Sequence, residues 1–273
     1  MNLLKVHLRF DRYHYGCQQE TERKEALMMS VKNNNGTSFK FERIEKKFWM
    51  SQEQFAYLKP FLERNTVKDE HGDSLICNIY YDTPDCCLIR RSIERPYFKE
   101  KIRIRSYGIP EDTSYVFAEL KRKLDGVGYK RRICVPFSDA KKLMRGEPIN
   151  SGNTQIEKEI LDFVARYNPV PVVYLTYSRY AMYLKTDKNF RITIDKNIMY
   201  RTTDIENPGN DCMFPVMSDS SRILMEVKAA GGIPEDMLRI MSENKIFQAP
   251  YSKVGACYMN HMASYPLIEA VNQ

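Results

Sequence analysis

The sequence has few histidines and cysteines, and they do not follow the spacings typical of metal sites or disulfide frameworks. Its four histidines, at positions 7, 14, 71 and 261, have a spacing that matches no zinc site. The seven cysteines are odd in number and include no C-x-x-C motif, so reduced thiols are expected rather than a disulfide framework. No apolar run reaches the roughly 18 residues of a transmembrane helix. We therefore expect a cytoplasmic chain, peripheral to a membrane only where a membrane-protein partner supplies the anchor.

The length and composition predict one large folded unit. The chain has 273 residues, of which 43% are hydrophobic and 28% charged, enough to bury a substantial core. Residues 1–38 are polar and aperiodic and predict a loosely ordered N-terminal extension, whereas residues 39–273 have one composition and predict a single domain. The formal net charge of +7 favours partners that carry phosphate groups.

Alternation of apolar and polar residues predicts a sheet of about eight strands. The predicted strands are 39–50, 75–82, 98–107, 115–124, 129–136, 172–184, 190–197 and 223–229. Helix starts are predicted at Ser51, Ser138, Thr154, Pro234 and Ser252. Asp125 and the glycine after it predict a tight hairpin turn. Antiparallel strands with interspersed helices predict an α+β fold.

One strand pattern concentrates positive charge on a single face. The segment "KIRIR" places Lys101, Arg103 and Arg105 on one side of a strand and two isoleucines on the other. Five further strands repeat this division. Their charged faces carry Arg43, Glu45, Lys47, Glu119, Lys121, Lys123, Lys130, Arg132, Arg191, Asp195, Glu226 and Lys228. Arginine suits phosphate because its planar fork donates two hydrogen bonds at once.

Two architectures are compatible with these faces. An open sheet would present them outward as one plate, and a closed barrel would enclose them in a lumen. Like charges facing each other across a narrow lumen cost several kcal/mol per ion unless partners compensate. The interspersed carboxylates offset part of that cost, and a polyanionic ligand would offset the rest.

Eight short segments occur in an order and spacing that match a known family. In chain order they are "FERIEKKFWM", "IYYDT", "KIRIRSYG", "FAELKRK", "LTYSRYA", "RITID", "LMEVKA" and "YSKVGACY". Together they resemble the catalytic domain of the vacuolar transporter chaperone (VTC) complex, the polyphosphate polymerase of the triphosphate tunnel metalloenzyme (CYTH-like) superfamily.

The resemblance implies a closed antiparallel barrel of about eight strands that forms a basic tunnel, with helices outside. It also implies ATP and polyphosphate as ligands and a divalent metal, Mn²⁺ or Mg²⁺. By the same resemblance, Lys253, Arg103 and Arg105 are catalytic and Glu226 is the metal ligand. The phosphate-binding residues would be Lys47, Lys121, Lys130, Arg132, Arg179, Arg191 and Lys228, with Lys130 and Arg132 competing for one position.

Ordinary structural roles remain open for three of these residues. Glu226 could be a salt-bridge partner, Lys253 a surface residue, and Arg179, which lies among four tyrosines, could stack on an aromatic ring.

The sequence also departs from relatives of this family. Hydrolytic members of the superfamily carry Glu-x-Glu-x-Lys on the first strand, where this chain has Arg43-Ile-Glu45-Lys-Lys47. The missing carboxylate disfavours triphosphatase or cyclase chemistry. No SPX domain fits in the first 38 residues, so control by inositol phosphates is not expected. The alternatives to a polymerase are a metal-dependent triphosphate or polyphosphate hydrolase and a non-catalytic polyphosphate-binding module. Nucleic-acid binding is disfavoured because aromatic residues do not interleave with the basic faces.

Overall fold

The computed structural model describes residues 44–94, 96–125 and 127–263. The predicted extension, residues 1–38, lies outside the described residues, so its boundary with the following domain stays a prediction. Nine strands are present in the described part of the chain. They are β1 Ile44–Met50, β2 Thr66–Asp82, β3 Phe98–Tyr107, β4 Tyr115–Leu124, β5 Val127–Pro136, β6 Val170–Leu184, β7 Arg191–Arg201, β8 Phe214–Pro215 and β9 Ile223–Ala229.

All nine strands belong to one antiparallel sheet. The order is β1-β9-β7-β6-β2-β3-β4-β5, and β8 adds to β7. Within the described residues β1 and β5 do not pair with each other, so the predicted closed barrel is wrong. The outer edge of β1 is instead met by the chain near Gln248, and the amide of Ala249 donates to the carbonyl oxygen of Lys47 at 2.9 Å.

Charge repulsion gives a physical reason for the open edge. Strands β4 and β5 carry lysines and an arginine on the same face as the lysines of β1 and β9. Backbone pairing of β1 with β5 would bring these cations together and remove their hydration.

Helices cover the apolar face of the sheet, as the α+β prediction requires. The described helices are α1 Gln52–Asn65, α2 Cys87–Ile93, α3 Phe137–Met144, α4 Thr154–Tyr167, α5 Glu235–Glu243 and α6 Lys253–Cys257, followed by a π-helical turn at Tyr258–Met262. Helices α1 and α5 pack on β1, β7 and β9. Helices α3 and α4 pack on β2 to β5. In the part of the chain that the structure describes, no helix is long and apolar enough to cross a membrane.

A third apolar cluster lies on the opposite, charged side of the sheet. It joins Tyr80 and Tyr177 of the sheet to Leu224 of β9 and to Val254 and Cys257 of α6. This cluster holds α6 against one end of the charged face. The first residue of α6 is Lys253, so packing of apolar neighbours fixes where that lysine enters the charged face.

The structure confirms several of the predicted helix caps and the predicted hairpin turn. Ser51 and Gln54 form the expected capping box at the start of α1, and the hydroxyl of Ser252 caps α6. Asp125 has the positive φ, 44°, that its hairpin turn requires.

Other local predictions were wrong. Helix α3 begins at Phe137 without a cap from Ser138, and α4 is capped by Asn153 rather than Thr154. By contrast, five described cysteines are free thiols, at positions 77, 86, 87, 212 and 257.

Candidate functional site

The charged face of the sheet carries the predicted site residues. On β3, Ile102 and Ile104 are 0% and 2% exposed in the core, and alternation turns Lys101, Arg103 and Arg105 to the other side. The same alternation applies on β1, β4, β5, β7 and β9. We call this surface the charged trough. Its predicted members are Lys47, Lys101, Arg103, Arg105, Glu119, Lys121, Lys130, Arg132, Arg179, Arg191, Asp195, Glu226, Lys228 and Lys253.

The sheet curls strongly enough that its two flanks influence each other across this face. Burial raises the pKa of Glu45 on β1, but Lys228, Lys47 and Lys121 together lower it below its usual value. Lys121 belongs to β4, which lies six strands away from β1 in the sheet order. The cation row of β3 is also tied to α6, because the Lys101 ammonium donates to the Ser252 hydroxyl at 3.1 Å. The open sheet therefore forms a trough rather than a flat plate.

Glu119 of β4 is the carboxylate at the centre of one cation group. It is 2% exposed, and its Oε2 lies 2.6 Å from Nη2 of Arg103 and 2.8 Å from Nε of the same side chain. Lys130 Nζ is 2.6 Å from the other oxygen, and Arg105 Nε is 3.9 Å from Oε2. Burial raises the pKa of Glu119, but Arg103, Arg105 and Lys130 outweigh it and hold that pKa well below its usual range. Glu119 therefore stays ionised and anchors three cations.

Asp195 and Glu226 anchor a second cation group at the other side of the trough. Arg179 grips Asp195 through two hydrogen bonds of 2.6 and 2.7 Å, and its Nη2 lies 3.4 Å from Glu226. Lys253 Nζ lies 2.6 Å from Asp195 and 2.8 Å from Glu226. Burial alone would raise the pKa of Glu226, but Lys253, Lys47 and Arg179 keep it well below its usual range. Glu226 is thus a salt-bridge partner in this structure.

Three uncharged side chains on β2 and β6 orient the arginines between the two groups. Arg103 Nη1 donates to the Tyr80 hydroxyl at 2.9 Å. Arg105 donates to Asn78 Oδ1 at 3.0 Å and to the Tyr177 hydroxyl at 3.2 Å. The Tyr177 ring also lies 4.6 Å from Lys253 Nζ and 5.2 Å from the guanidinium carbon of Arg179. Tyr177 therefore contacts both cation groups, and the aromatic stacking considered for Arg179 is present.

Among the remaining predicted cations, Lys47 belongs to the second group, because its Nζ lies 3.8 Å from Glu226, whereas Arg191, Lys228 and Arg132 have other partners. Arg191 pairs with Asp69 of β2 at 2.6 Å, and Lys228 lies 3.7 Å from Glu45. Arg132 stacks 4.5 Å from the centre of the Phe117 ring, whereas the competing residue, Lys130, contacts Glu119. Both Lys130 and Arg132 face the trough, so the choice between them as phosphate ligands stays a prediction.

Sequence reasoning omitted several residues that build this site. Tyr80, Asn78 and Tyr177 were not singled out, although Tyr177 precedes Arg179 by the two residues that place both on one face. The sequence predicts Lys101 on the charged face but not as a binding residue. Lys101 precedes Arg103 by two residues, and this spacing would have been enough to predict it as one. Burial and the neighbouring cations Lys99, Lys121, Lys47 and Arg103 lower the pKa of Lys101 to about 7.

The donor atoms of the described residues do not form a metal site by themselves. Across 44–94, 96–125 and 127–263, no group of three or more histidine, cysteine, aspartate or glutamate side chains is arranged to hold a metal ion. Mg²⁺ is usually held by one or two carboxylates together with substrate phosphates. Glu226 fits such a role only in combination with phosphate oxygens from a ligand, because protein ligands alone are too few.

Comparison with known proteins gives one family match. The VTC domain model matches residues 42–264. Subunit 4 of the vacuolar transporter chaperone complex of Trypanosoma brucei brucei is 25% identical over an alignment of 202 positions, and the match covers 58% of this chain and 26% of that protein. The chain thus spans about a quarter of that relative's length.

Two solved structures show weaker similarity. A Bacillus halodurans protein described as a candidate adenylate cyclase is 18% identical, with a TM-score of 0.46 over 77% of this chain and 93% of its own. The Mimivirus capping enzyme triphosphatase is 13% identical, with a TM-score of 0.31 over 83% of this chain and 96% of its own. Both TM-scores are below 0.5, so neither likeness carries a conclusion about function.

Proposed function

This chain belongs to the VTC domain family, and we propose that it is a polyphosphate polymerase, which transfers the γ-phosphate of ATP to the end of a growing polyphosphate chain. The observation that carries the proposal is the charged trough, in which buried carboxylates form ion pairs with the cations. Such an arrangement fixes guanidinium and ammonium groups before a ligand arrives. Phosphoryl transfer needs mainly positioning and compensation of charge on the phosphoryl oxygens.

The contacts leave donor groups available for phosphate. A lysine ammonium has three N–H donors, and Lys253 directs two of them to Asp195 and Glu226. The third can bind a phosphoryl oxygen without breaking either ion pair. Arg103 and Arg105 have five N–H donors each, of which only some are engaged by Glu119, Tyr80, Asn78 and Tyr177. The trough can therefore bind several phosphate groups while its cations keep their positions.

Lys253 acts in this proposal as a fixed positive charge. Burial lowers its pKa, but the adjacent carboxylates of Asp195 and Glu226 more than offset this and raise the pKa above its ordinary value. An ammonium group that stays protonated near neutral pH is a poor general base and a good electrostatic stabiliser. We assign Lys253 to the reacting phosphate and Arg103 and Arg105 to the phosphates beside it.

A divalent cation fits the proposal as a ligand shared between protein and substrate. Glu226 would hold it together with phosphate oxygens, and when bound it supplies further charge neutralisation at the phosphoryl group. Lys47, Lys121, Lys130, Arg132, Arg179, Arg191 and Lys228 are proposed to bind the polyphosphate chain or the nucleotide phosphates. A membrane-protein partner stays a prediction.

Product analysis tests the proposal. The purified chain is incubated with ATP and either Mn²⁺ or Mg²⁺, with and without a pyrophosphate primer, and products are resolved by gel electrophoresis and assayed for free phosphate. A polymerase yields a ladder of polyphosphate chains. Free phosphate without chain growth would identify a hydrolase, and tight tripolyphosphate binding without any product would identify a binding module.

A double substitution links the activity to the trough. Changing Arg103 and Arg105 to alanine should reduce chain growth about a thousandfold, because two preorganised charges are lost, each worth roughly 2 kcal/mol. The matched control is Arg122→Ala, which removes an arginine from the helix-covered side of β4, where it pairs with Glu100 at 2.7 Å. If the double variant is folded and polymerises at the rate of the control, the trough is not the site.

A further inference from the structure

Lys101 lies in the trough without a carboxylate partner among the described residues. Lys47, Lys130, Lys228 and Lys253 each have a carboxylate within 4.0 Å. In the described part of the chain, Lys101 has no such ion pair, and its hydrogen bond goes to the uncharged Ser252 hydroxyl. The groups that act most strongly on it are cations from three strands: Lys99 and Arg103 of β3, Lys121 of β4 and Lys47 of β1. Burial, the largest cause, and these like charges together disfavour its ammonium form.

The contact between Lys101 and Ser252 connects two parts of the site. Ser252 is the N-cap of α6 and also accepts a hydrogen bond from the amide of Gly255. The next residue is Lys253, whose ammonium reaches Asp195 and Glu226. Lys101 thus lies between the arginine row of β3 and the lysine assigned to the reacting phosphate. A phosphate group bound across these side chains would be within reach of Lys101.

We propose that Lys101 is a further phosphate-binding residue, and that it takes up a proton when a polyphosphate chain enters the trough. The inference rests on the proposed function, since it takes polyphosphate as the ligand. An ammonium surrounded by cations is unfavourable in the empty trough. The negative charge of the ligand reverses that balance, so protonation and binding favour each other.

The lowered pKa of Lys101 sets the size of the effect. With a pKa of about 7, about nine tenths of the empty sites hold a neutral Lys101 at pH 8, and about one tenth do so at pH 6. Binding that requires the charged form is then weakened about tenfold at pH 8 and hardly at all at pH 6, relative to a side chain that is always charged. Arginine is such a side chain.

Isothermal titration calorimetry with tripolyphosphate, without metal, tests this inference. Titrations at pH 6 and pH 8, in buffers of different ionisation enthalpy, count the protons taken up per ligand bound. Lys101→Arg is the matched variant, because it keeps the charge and removes the titration, and protons that belong to the ligand itself cancel between the two proteins. Lys101→Gln is a second variant, which has neither the positive charge nor a titrating group. Circular dichroism checks that each protein is folded.

We expect the wild-type chain to take up about one more proton per tripolyphosphate than Lys101→Arg at pH 8, and almost none more at pH 6. The affinity of Lys101→Arg relative to wild type should rise about tenfold over the same interval. Lys101→Gln should lack the extra proton and bind more weakly than wild type at pH 6. Equal proton uptake in all folded proteins would overturn the role of Lys101 while leaving the proposed function intact. Absence of tripolyphosphate binding in every protein would overturn both.

Discussion

The buried carboxylate of Glu119 provides the sharpest prediction about how the trough is built. The change Glu119→Gln keeps the size of the side chain and removes its negative charge. Arg103, Arg105 and Lys130 then face one another without the anion that lies between them. We expect the folded protein to lose stability and to gain affinity for polyanions, because the same cations remain and their internal counter-charge is gone.

The structure sets the size of both effects. Removing one partner of a buried ion pair usually costs about 3–5 kcal/mol. The side chains of Arg103, Arg105 and Lys130 are 21%, 12% and 43% exposed, so water reaches these cations and the lower end, about 3 kcal/mol, applies. For a chain of this size that loss corresponds to a decrease in Tm of about 6–12 °C. Binding of tripolyphosphate should be several-fold tighter than in wild type, because Glu119 no longer repels the ligand.

Thermal denaturation followed by circular dichroism, with and without tripolyphosphate, measures both effects. The control is Glu100→Gln on the opposite face of β3, where Glu100 is 2% exposed and pairs with Arg122 and Arg166. Both variants should melt earlier than wild type, but only Glu119→Gln should show a larger rise in Tm on adding tripolyphosphate. Equal responses to the ligand in the two variants would refute the idea that Glu119 balances charge for a polyanion site.

Three further predictions concern single side chains. Arg179→Lys should destabilise the protein by about 2 kcal/mol, because lysine cannot reproduce the two-fold grip on Asp195; urea denaturation would show it, and an unchanged midpoint would contradict it. Ser51→Ala should cost about 1 kcal/mol through loss of the α1 cap, with no change in tripolyphosphate affinity. Lys101 has a pKa of about 7 in the folded chain and an ordinary value of 10.5, so the unfolded chain binds the extra proton between these limits and stability rises with pH. Lys101→Met should therefore have a higher Tm than wild type, most of all below pH 7, and the difference in Tm should disappear towards pH 10.5. A difference in Tm that does not change with pH would contradict this.

Strand alternation accounts for the part of the site that sequence alone could predict. Because side chains on a strand alternate between faces, the pattern around Arg103 was enough to predict both the buried isoleucines and the charged face. The limits of β3, β4 and β9 follow from the same rule. By contrast, β2 begins at Thr66, nine residues before the predicted start, since its polar first half has no alternation to detect.

Long-range contacts account for what the sequence could not predict. Whether the sheet closes depends on pairing between β1 and β5, and the charged faces of these strands were compatible with either a closed or an open sheet. Likewise, Asp195 and Glu119 looked like minor compensating charges, yet burial makes each the centre of a cation group. The position of Lys253 depends on apolar packing of α6 against strands distant in sequence. These features arise from tertiary packing and from desolvation.

Phosphorus NMR during turnover tests the central claim most directly. The purified chain is mixed with ATP, Mn²⁺ and a pyrophosphate primer, and the signals of ATP, ADP, free phosphate and internal chain phosphates are followed over time. The account predicts that internal chain phosphate and ADP accumulate in equal amounts as ATP disappears, and that the Arg103 and Arg105 double alanine variant gives neither. Loss of ATP into ADP and free phosphate, with no internal chain signal, would contradict it.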